Sequence, residues 1–279
     1  MRTGGTIEPH YTGPRVRLYT DLFRYGELFS NLFRRELQVR YRGSVLGLAW
    51  TLIYPLVLMI GYWVLFSVLL RAVSVENYPL FVVSGLVSWT FFSSAVQMSS
   101  TSLLGHASLV KQVRFPRQLL PLSAVATNLV TFSVMLALII PANLIFQPAT
   151  RTTFWAALPL VLPLVAVASG LAIVLAGLTV LFRDVEHLLA TILVPWFILT
   201  PIFYTFDQLP GLQGNEWVAD VLYYGNIVAP IIESIRDPLF FGRMPAATDV
   251  VYASVVAVLA LAAGAIVFRR LDDRLAAEL

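Results

Sequence analysis

Six nearly unbroken apolar runs order this chain, at residues 48–70, 78–100, 119–146, 156–182, 187–205 and 247–268. Each is about long enough to cross a bilayer, whose hydrocarbon core of about 30 Å takes ~20 apolar residues at the helical rise. A different pattern precedes them. Over residues 21–39, Leu22, Phe23, Gly26, Phe29, Phe33 and Leu37 approximate one helical face, with Arg24, Glu27, Arg34, Arg35 and Gln38 on the other. A helix of that kind lies in the membrane interface rather than across it. The pattern predicts an all-α polytopic membrane protein in two parts. Residues 1–46 form a cytoplasmic tail and amphipathic interface helix, and residues 47–279 a six-helix transmembrane domain.

The segment 206–246, between the fifth and sixth runs, breaks the rhythm. Its apolar part, 218–241, is interrupted by Asp220, Gly225, Asn226, Pro230, Glu233, Arg236, Asp237 and Pro238. A lipid-exposed spanning helix does not tolerate that set. Two external half-helices that dip into the membrane and return, shielded by protein, do. Asn226 is the expected N-cap of the second, which would run to Arg236.

Two connectors leave alternatives open. Residues 103–118 mix Leu103, Leu104, Leu109, Val110, Val113 and Phe115 with Lys111, Arg114 and Arg117, and Pro116 interrupts them. A brief helix laid across the cytoplasmic surface fits this mixture, and so does a solvated loop. Gly43 and Gly47 fit either a helix-packing motif or an elbow into the first span, and their place at the membrane edge favours the elbow. Small residues four apart (Ala168, Ala172 and Ala176; Ala253 and Ala257; Ala260 and Gly264) predict close helix approach.

Charge sets the orientation. Of 19 basic residues, eight precede the first run, three lie at 101–118, one is Arg183, and three (Arg269, Arg270, Arg274) end the chain. Only Arg71, Arg151, Arg236 and Arg243 remain for the other face. The positive-inside rule therefore puts both termini in the cytoplasm, as an even number of spans requires. With 58% hydrophobic and 13% charged residues, the chain carries about half the charge of a soluble domain. The pI of 9.3 reflects this arginine collar, which suits anionic headgroups better than nucleic acid. No cleavable leader is visible ahead of the first run.

Several chemistries are missing. A phosphate-cradling loop ends in glycine, lysine, then serine or threonine. The single lysine, Lys111, stands between Val110 and Gln112, so no ATP site is expected here. His10, His106 and His187 are scattered and read as solvated cytoplasmic histidines, and there is no cysteine, so no metal site is expected. The first four runs hold almost no ionisable residue in their central turns, which argues against a proton or ion relay and against an intramembrane enzyme. No internal repeat supports an inverted-repeat carrier. If the chain transports, energy enters through a partner.

Aromatic residues are placed suggestively. Trp50, Tyr54, Tyr62 and Phe66 in the first run follow multiples of four and make a slowly winding ridge. Trp196 and Phe197 recur seven residues later as Phe203 and Tyr204, on nearly the same face of a continuous helix. One reading is a sugar-stacking wall along a conduit. The other is interfacial belting plus packing.

Four stretches carry a family resemblance. They are L-F-R-R-E-L-Q-V-R-Y-R-G-S-V-L-G-L-A-W at 32–50, V-K-Q-V-R-F-P-R-Q-L-L-P at 110–121, F-R-D-V at 182–185 and P-I-F-Y at 201–204. Together they resemble the permease subunit of type-2 ABC transporters, in the branch that exports polysaccharides such as O-antigen, capsule and teichoic acid. Residues 226–237 resemble that family's external segment, with Ile227 where proline is common, while Glu233, Arg236 and Asp237 keep the closing pattern. The resemblance implies two copies of this chain and two ATP-binding subunits that hold ATP and Mg. Arg34, Arg35, Glu36, Arg40 and Arg42 would face the headgroup of a lipid-linked glycan. Lys111, Arg114, Phe115, Pro116 and Arg117 would form the coupling loop to the ATPase. Trp50, Tyr54, Tyr62, Phe66, Phe197 and Tyr204 would line the conduit, and Asn226, Glu233 and Arg236 would belong to the external cap. The resemblance does not separate glycan export at the bacterial plasma membrane from export of a drug, lipid or peptide. A membrane scaffold or a glycolipid-modifying enzyme is the reading from another class.

Overall fold

A computed structural model of the chain describes residues 25–42, 49–65, 75–113, 115–205 and 216–278. The elements are α1 (Gly26–Tyr41), α2 (Ala49–Trp63), α3 (Tyr78–Ser100), the short α4 (Ser102–Gly105) and α5 (Ala107–Gln112), α6 (Leu119–Phe146), α7 (Ala157–Leu181), α8 (Asp184–Leu199), α9 (Glu216–Tyr224), α10 (Ala229–Arg236) and α11 (Ala247–Glu278). Tight turns Pro148–Thr152 and Phe154–Ala156 join α6 to α7, and a wide turn, Asp237–Phe241, follows α10. No strand occurs among the described residues.

Four helical stretches are long and apolar enough to cross a membrane: Tyr78–Ser100, Leu119–Phe146, Phe154–Leu181 and Ala247–Leu271. They coincide with the second, third, fourth and sixth apolar runs. The fifth run gives a shorter helix, α8, of 16 residues, or roughly 24 Å at the helical rise. Of the first run, α2 is the helix within the described residues, and 66–70 lie outside them. α8 stops at Leu199 because Thr200 is extended (φ −85°, ψ 131°) ahead of Pro201, a conformation that proline imposes on the residue before it. Phe203 and Tyr204 therefore lie in an irregular turn, not on the face of α8 that carries Trp196 and Phe197. The expected seven-residue stripe is broken there.

α3 is the buried axis. Phe81, Val82, Leu86, Phe92, Ala95 and Val96 are all enclosed, by α2, α6, α7 and α8. The closest helix crossing joins α7 and α11. A methyl on Gly170 would lie 2.3 Å from the backbone of Ala260, and one on Gly264 would lie 2.9 Å from the Gly170 carbonyl. Ala260 and Gly264, paired by the small-residue spacing, meet at this crossing. Gly170, at its tightest point, stands outside that spacing; Ala168 and Ala172, two residues to either side of it, are buried, as is Ala176.

A second, smaller apolar cluster sits at the end where α1 packs. It joins Leu32 of α1, Leu103 and Val110 of the connector, Leu119, Leu120, Ile173, Val180 and Phe268. The connector is therefore folded onto the bundle as two short helices rather than solvated.

Candidate functional site

Three places gather the side chains that sequence reasoning singled out. The first is the bend between α9 and α10, where Trp217–Tyr224 and Ala229–Phe241 meet at 91°. Arg236 has no exposed surface. Its Nη1 donates to the Pro201 carbonyl at 2.7 Å and to Glu233 Oε1 at 2.6 Å, and its Nη2 donates to the Ile202 carbonyl at 3.1 Å. The guanidinium also lies 4.3 Å from the centre of the Phe81 ring. These carbonyls need partners because they lie buried in the irregular turn beyond α8, outside any helical ladder. Gly85 makes room, since a methyl there would sit 1.9 Å from Arg236 Nη2. Nothing in the sequence pattern marks Gly85 beyond its being a glycine inside an apolar run.

Asn226 grips the same turn. Its Oδ1 accepts from Trp196 Nε1 at 2.8 Å and from the Val228 amide at 3.1 Å, while its Nδ2 donates to Thr200 Oγ1 at 2.9 Å. It is not the N-cap of α10, which begins at Ala229 after Val228 with no side-chain cap. Bonding to the amide two residues on makes a local turn instead. Tyr78 completes the grip by donating to the Phe203 carbonyl at 2.7 Å. Beyond α10, Asp237 Oδ1 accepts from Arg243 at 2.8 Å, and Tyr223 and Tyr224 each donate to Asp249 at 3.0 Å.

The second place is aromatic. Tyr62 stacks on Phe203 with ring centres 5.1 Å apart and planes 10° apart, and lies 5.9 Å from Phe197. Trp196 of α8, with Trp89 and Phe92 of α3, which sequence reasoning did not single out, extends the cluster at 5.4–6.1 Å. The Tyr204 hydroxyl donates to the carbonyls of Ile198 and Leu199 at the end of α8. Tyr62, Phe197 and Tyr204 are thus packed together. Trp50 and Tyr54 are not: they are 57% and 59% exposed. With Val57 and Ile60 they form an open apolar face on α2. Phe66 lies outside the described residues.

The third place is the end where α1 packs. Arg34, Arg35 and Arg42 are exposed. Arg40 Nη1 donates to Asn128 Oδ1 of α6 at 2.9 Å, and Asn128 is held in turn by the Ala124 carbonyl at 2.9 Å. Glu36 meets His106 at 3.5 Å, so His106 is not a solvated histidine; His187 is exposed. Lys111 is exposed, Phe115 packs on the smaller apolar cluster, Pro116 is buried, and Arg117 is half-buried at the start of α6. Arg114 and His10 lie outside the described residues. No cluster of acidic and histidine side chains able to hold a metal occurs among the described residues.

A helical bundle of several apolar helices long enough to cross a membrane, with a bent segment at one end and a short helix folded on the other, is the architecture of a multi-pass membrane protein. A family model described as ABC-2 type transporter matches residues 27–240. The chain belongs to that family. It is 31% identical over 255 residues to the O-antigen export system permease protein RfbA of Myxococcus xanthus, covering 91% of this chain and 95% of that relative. A protein of the same name from Klebsiella pneumoniae is 29% identical over 226 residues, covering 80% of this chain and 85% of its own length.

Proposed function

We propose that this chain is the membrane-spanning subunit of an ATP-driven exporter that moves a lipid-linked polysaccharide, of the O-antigen class, across the bacterial plasma membrane. The observation that carries the reading is the end-to-end match to permeases named for O-antigen export. The open aromatic face of α2 beside the Tyr62 cluster supports it physically. A wall of neutral rings holds sugars by stacking without a single tight site, which suits a long polymer in motion.

In this reading α2 and α8 complete six spans with the residues that adjoin them, both termini are cytoplasmic, and α1 lies at the inner interface. Residues 1–46 form the tail and interface helix, and the remainder the transmembrane domain. A conduit needs a second wall, and the exposed Trp50 and Tyr54 suit a homodimer in which two copies face each other. Exposed Arg34, Arg35 and Arg42, with Arg40, attract the anionic headgroup of the lipid carrier. Lys111, Phe115, Pro116 and Arg117, with Arg114, meet two ATP-binding subunits, which hold ATP and Mg. Nucleotide binding there shifts the conduit between states through its different affinity for them. Asn226, Glu233 and Arg236 brace the outer cap.

The test is reconstitution with the ATP-binding subunit and a lipid-linked glycan in vesicles. ATP-dependent protection of the glycan from an external glycosidase is the expected result. Turnover by this chain alone, with no nucleotide-binding partner, would overturn the proposal. Transport of a drug, free lipid or peptide with no effect on the glycan selects the other exporters of this family. A scaffold or a glycolipid-modifying enzyme moves nothing. Lys111→Glu combined with Arg117→Glu should abolish partner-stimulated ATPase activity while the chain still inserts, and unchanged stimulation removes the coupling assignment.

A further inference from the structure

We propose that Glu36 and His106 form a proton-dependent latch that docks the amphipathic helix α1 onto the connector carrying α4 and α5. The chemistry follows from the two ring nitrogens. His106 Nδ1 lies 2.9 Å from the Ser102 carbonyl. A carbonyl oxygen only accepts, so Nδ1 carries the hydrogen in either charge state that keeps this bond. Only Nε2 is left for Glu36, whose Oε1 lies 3.5 Å away. On a neutral ring that nitrogen presents a lone pair to a carboxylate, acceptor against acceptor. On the cationic ring it presents an N–H and a positive charge. The contact is attractive only with the second proton in place.

Glu36 and His106 act on a docking that the apolar cluster around Leu32 and the Arg40–Asn128 bond also hold. The two side chains are 14% and 16% exposed, so bulk water and salt screen them less than a surface pair. The elements packed against α4 are α3, α5, α6 and α7. α6 and α7 contain no ionisable residue, α3 has only Tyr78 at its far end, and α5 has Lys111, which is exposed. On α1 the other charged groups are Glu27, Arg34 and Arg35, all exposed, and Arg40, which is bound to Asn128; Tyr41 ends the helix and the exposed Arg42 follows it. Tyr25 before α1 and Phe115 on the connector pack on the smaller apolar cluster, and Arg117 stands at the start of α6. Histidine is the side chain that changes charge between about pH 5 and pH 8. Docking is therefore favoured at the acid end of that interval and weakens as pH rises. Because α5 and the Phe115–Arg117 stretch follow His106 directly, the latch sets the posture of the surface assigned to the ATPase. That consequence rests on the coupling reading, whereas the latch itself does not.

The absence of cysteine from the chain makes the test direct. Cysteines at the exposed positions Val39 and Ser108 carry spin labels in the full chain in lipid nanodiscs, without nucleotide. The docked-to-open ratio from electron-spin distances should fall about two- to fivefold between about pH 5.5 and about pH 8.5, the span of a modest ion pair. Glu36→Gln should abolish the response, and His106→Lys should keep α1 docked at both pH values. A wild-type distance that ignores pH overturns the latch, as does a full response in Glu36→Gln. Failure of the coupling reading appears separately, as ATPase stimulation unaffected by Lys111→Glu with Arg117→Glu.

Discussion

At the α9–α10 bend, Arg236 has no exposed surface and gives its hydrogens to Pro201, Ile202 and Glu233. Where α1 packs, Glu36 and His106 meet at 3.5 Å with part of each side chain still in solvent. Both contacts join segments far apart in sequence, yet they have different energetics. Removing the partners of a fully buried guanidinium strands a charge away from water, at a cost of about 3–5 kcal/mol. Opening a pair that keeps some contact with solvent costs about 1 kcal/mol, because water replaces the lost partner. The first is a fastening and the second a joint. In the proposed exporter the outer cap must keep its shape while polymer passes, and the surface facing the ATPase must move on each cycle. The placement of the two kinds of contact fits those opposite needs.

The sharpest way to break this comparison is at Gly85. Alanine there puts a methyl 1.9 Å from Arg236 Nη2 and drives the guanidinium off its carbonyls. A loss of about 3 kcal/mol or more is expected in thermal or denaturant unfolding. Arg236→Met should cost a similar amount. The pair of changes together should cost clearly less than the sum, because the methyl then clashes with nothing charged. If the two losses simply add, Gly85 is not making room for Arg236 and the fastening is misassigned.

Much of this architecture was legible from periodicity. The runs at 78–100 and 119–146 became α3 and α6 at those bounds, because Asn77 and Gln118 punctuate them and the apolar stretch between is unbroken. The break in the segment between α8 and α11 was legible because its polar residues are intolerable in lipid, and the structure bends there by 91°. The seven-residue aromatic recurrence misled, since it presumed a helix through Thr200 that Pro201 ends. Asn226 was expected as an N-cap and is not one; it bonds the Val228 amide locally, and its partner Trp196 is set by tertiary packing. Gly85 with Arg236, and Glu36 with His106, are long-range pairs. No window of hydrophobic pattern contains both members, so only the fold could join them.

Asn226→Ala offers a milder test at the same end. It leaves the Trp196 Nε1–H and the Val228 amide without their acceptor. About 2 kcal/mol of destabilisation is expected, the usual penalty of stranded buried donors, together with a change in Trp fluorescence as Trp196 loosens. Unaltered stability with unaltered fluorescence would show that the turn after α8 holds itself.

The two tyrosines of α2 separate packing from lining. Tyr62→Ala removes a ring stacked on Phe203 and should cost about 1–2 kcal/mol, less than a fully buried aromatic. Tyr54→Ala removes an exposed ring and should leave stability within about 0.5 kcal/mol, while lowering glycan export in the reconstituted complex. Export at the wild-type rate in Tyr54→Ala would take that face out of the conduit.

A far smaller effect than at Gly85 is expected where α1 packs, at Arg40. Glutamine there weakens the bond to the buried Asn128 Oδ1, while Asn128 Nδ2 keeps the Ala124 carbonyl. Unfolding free energy should fall by about 1 kcal/mol, the worth of one hydrogen bond. Amide hydrogen exchange within α1 should nevertheless speed up, because local opening depends on contacts at that helix rather than on the whole bundle. A movable contact gives this combination of faster exchange and nearly unchanged global stability. If Arg40→Gln instead lowers stability as far as Gly85→Ala does, both ends of the molecule are fastened alike. The separation into a rigid cap and a working joint would then have no energetic basis.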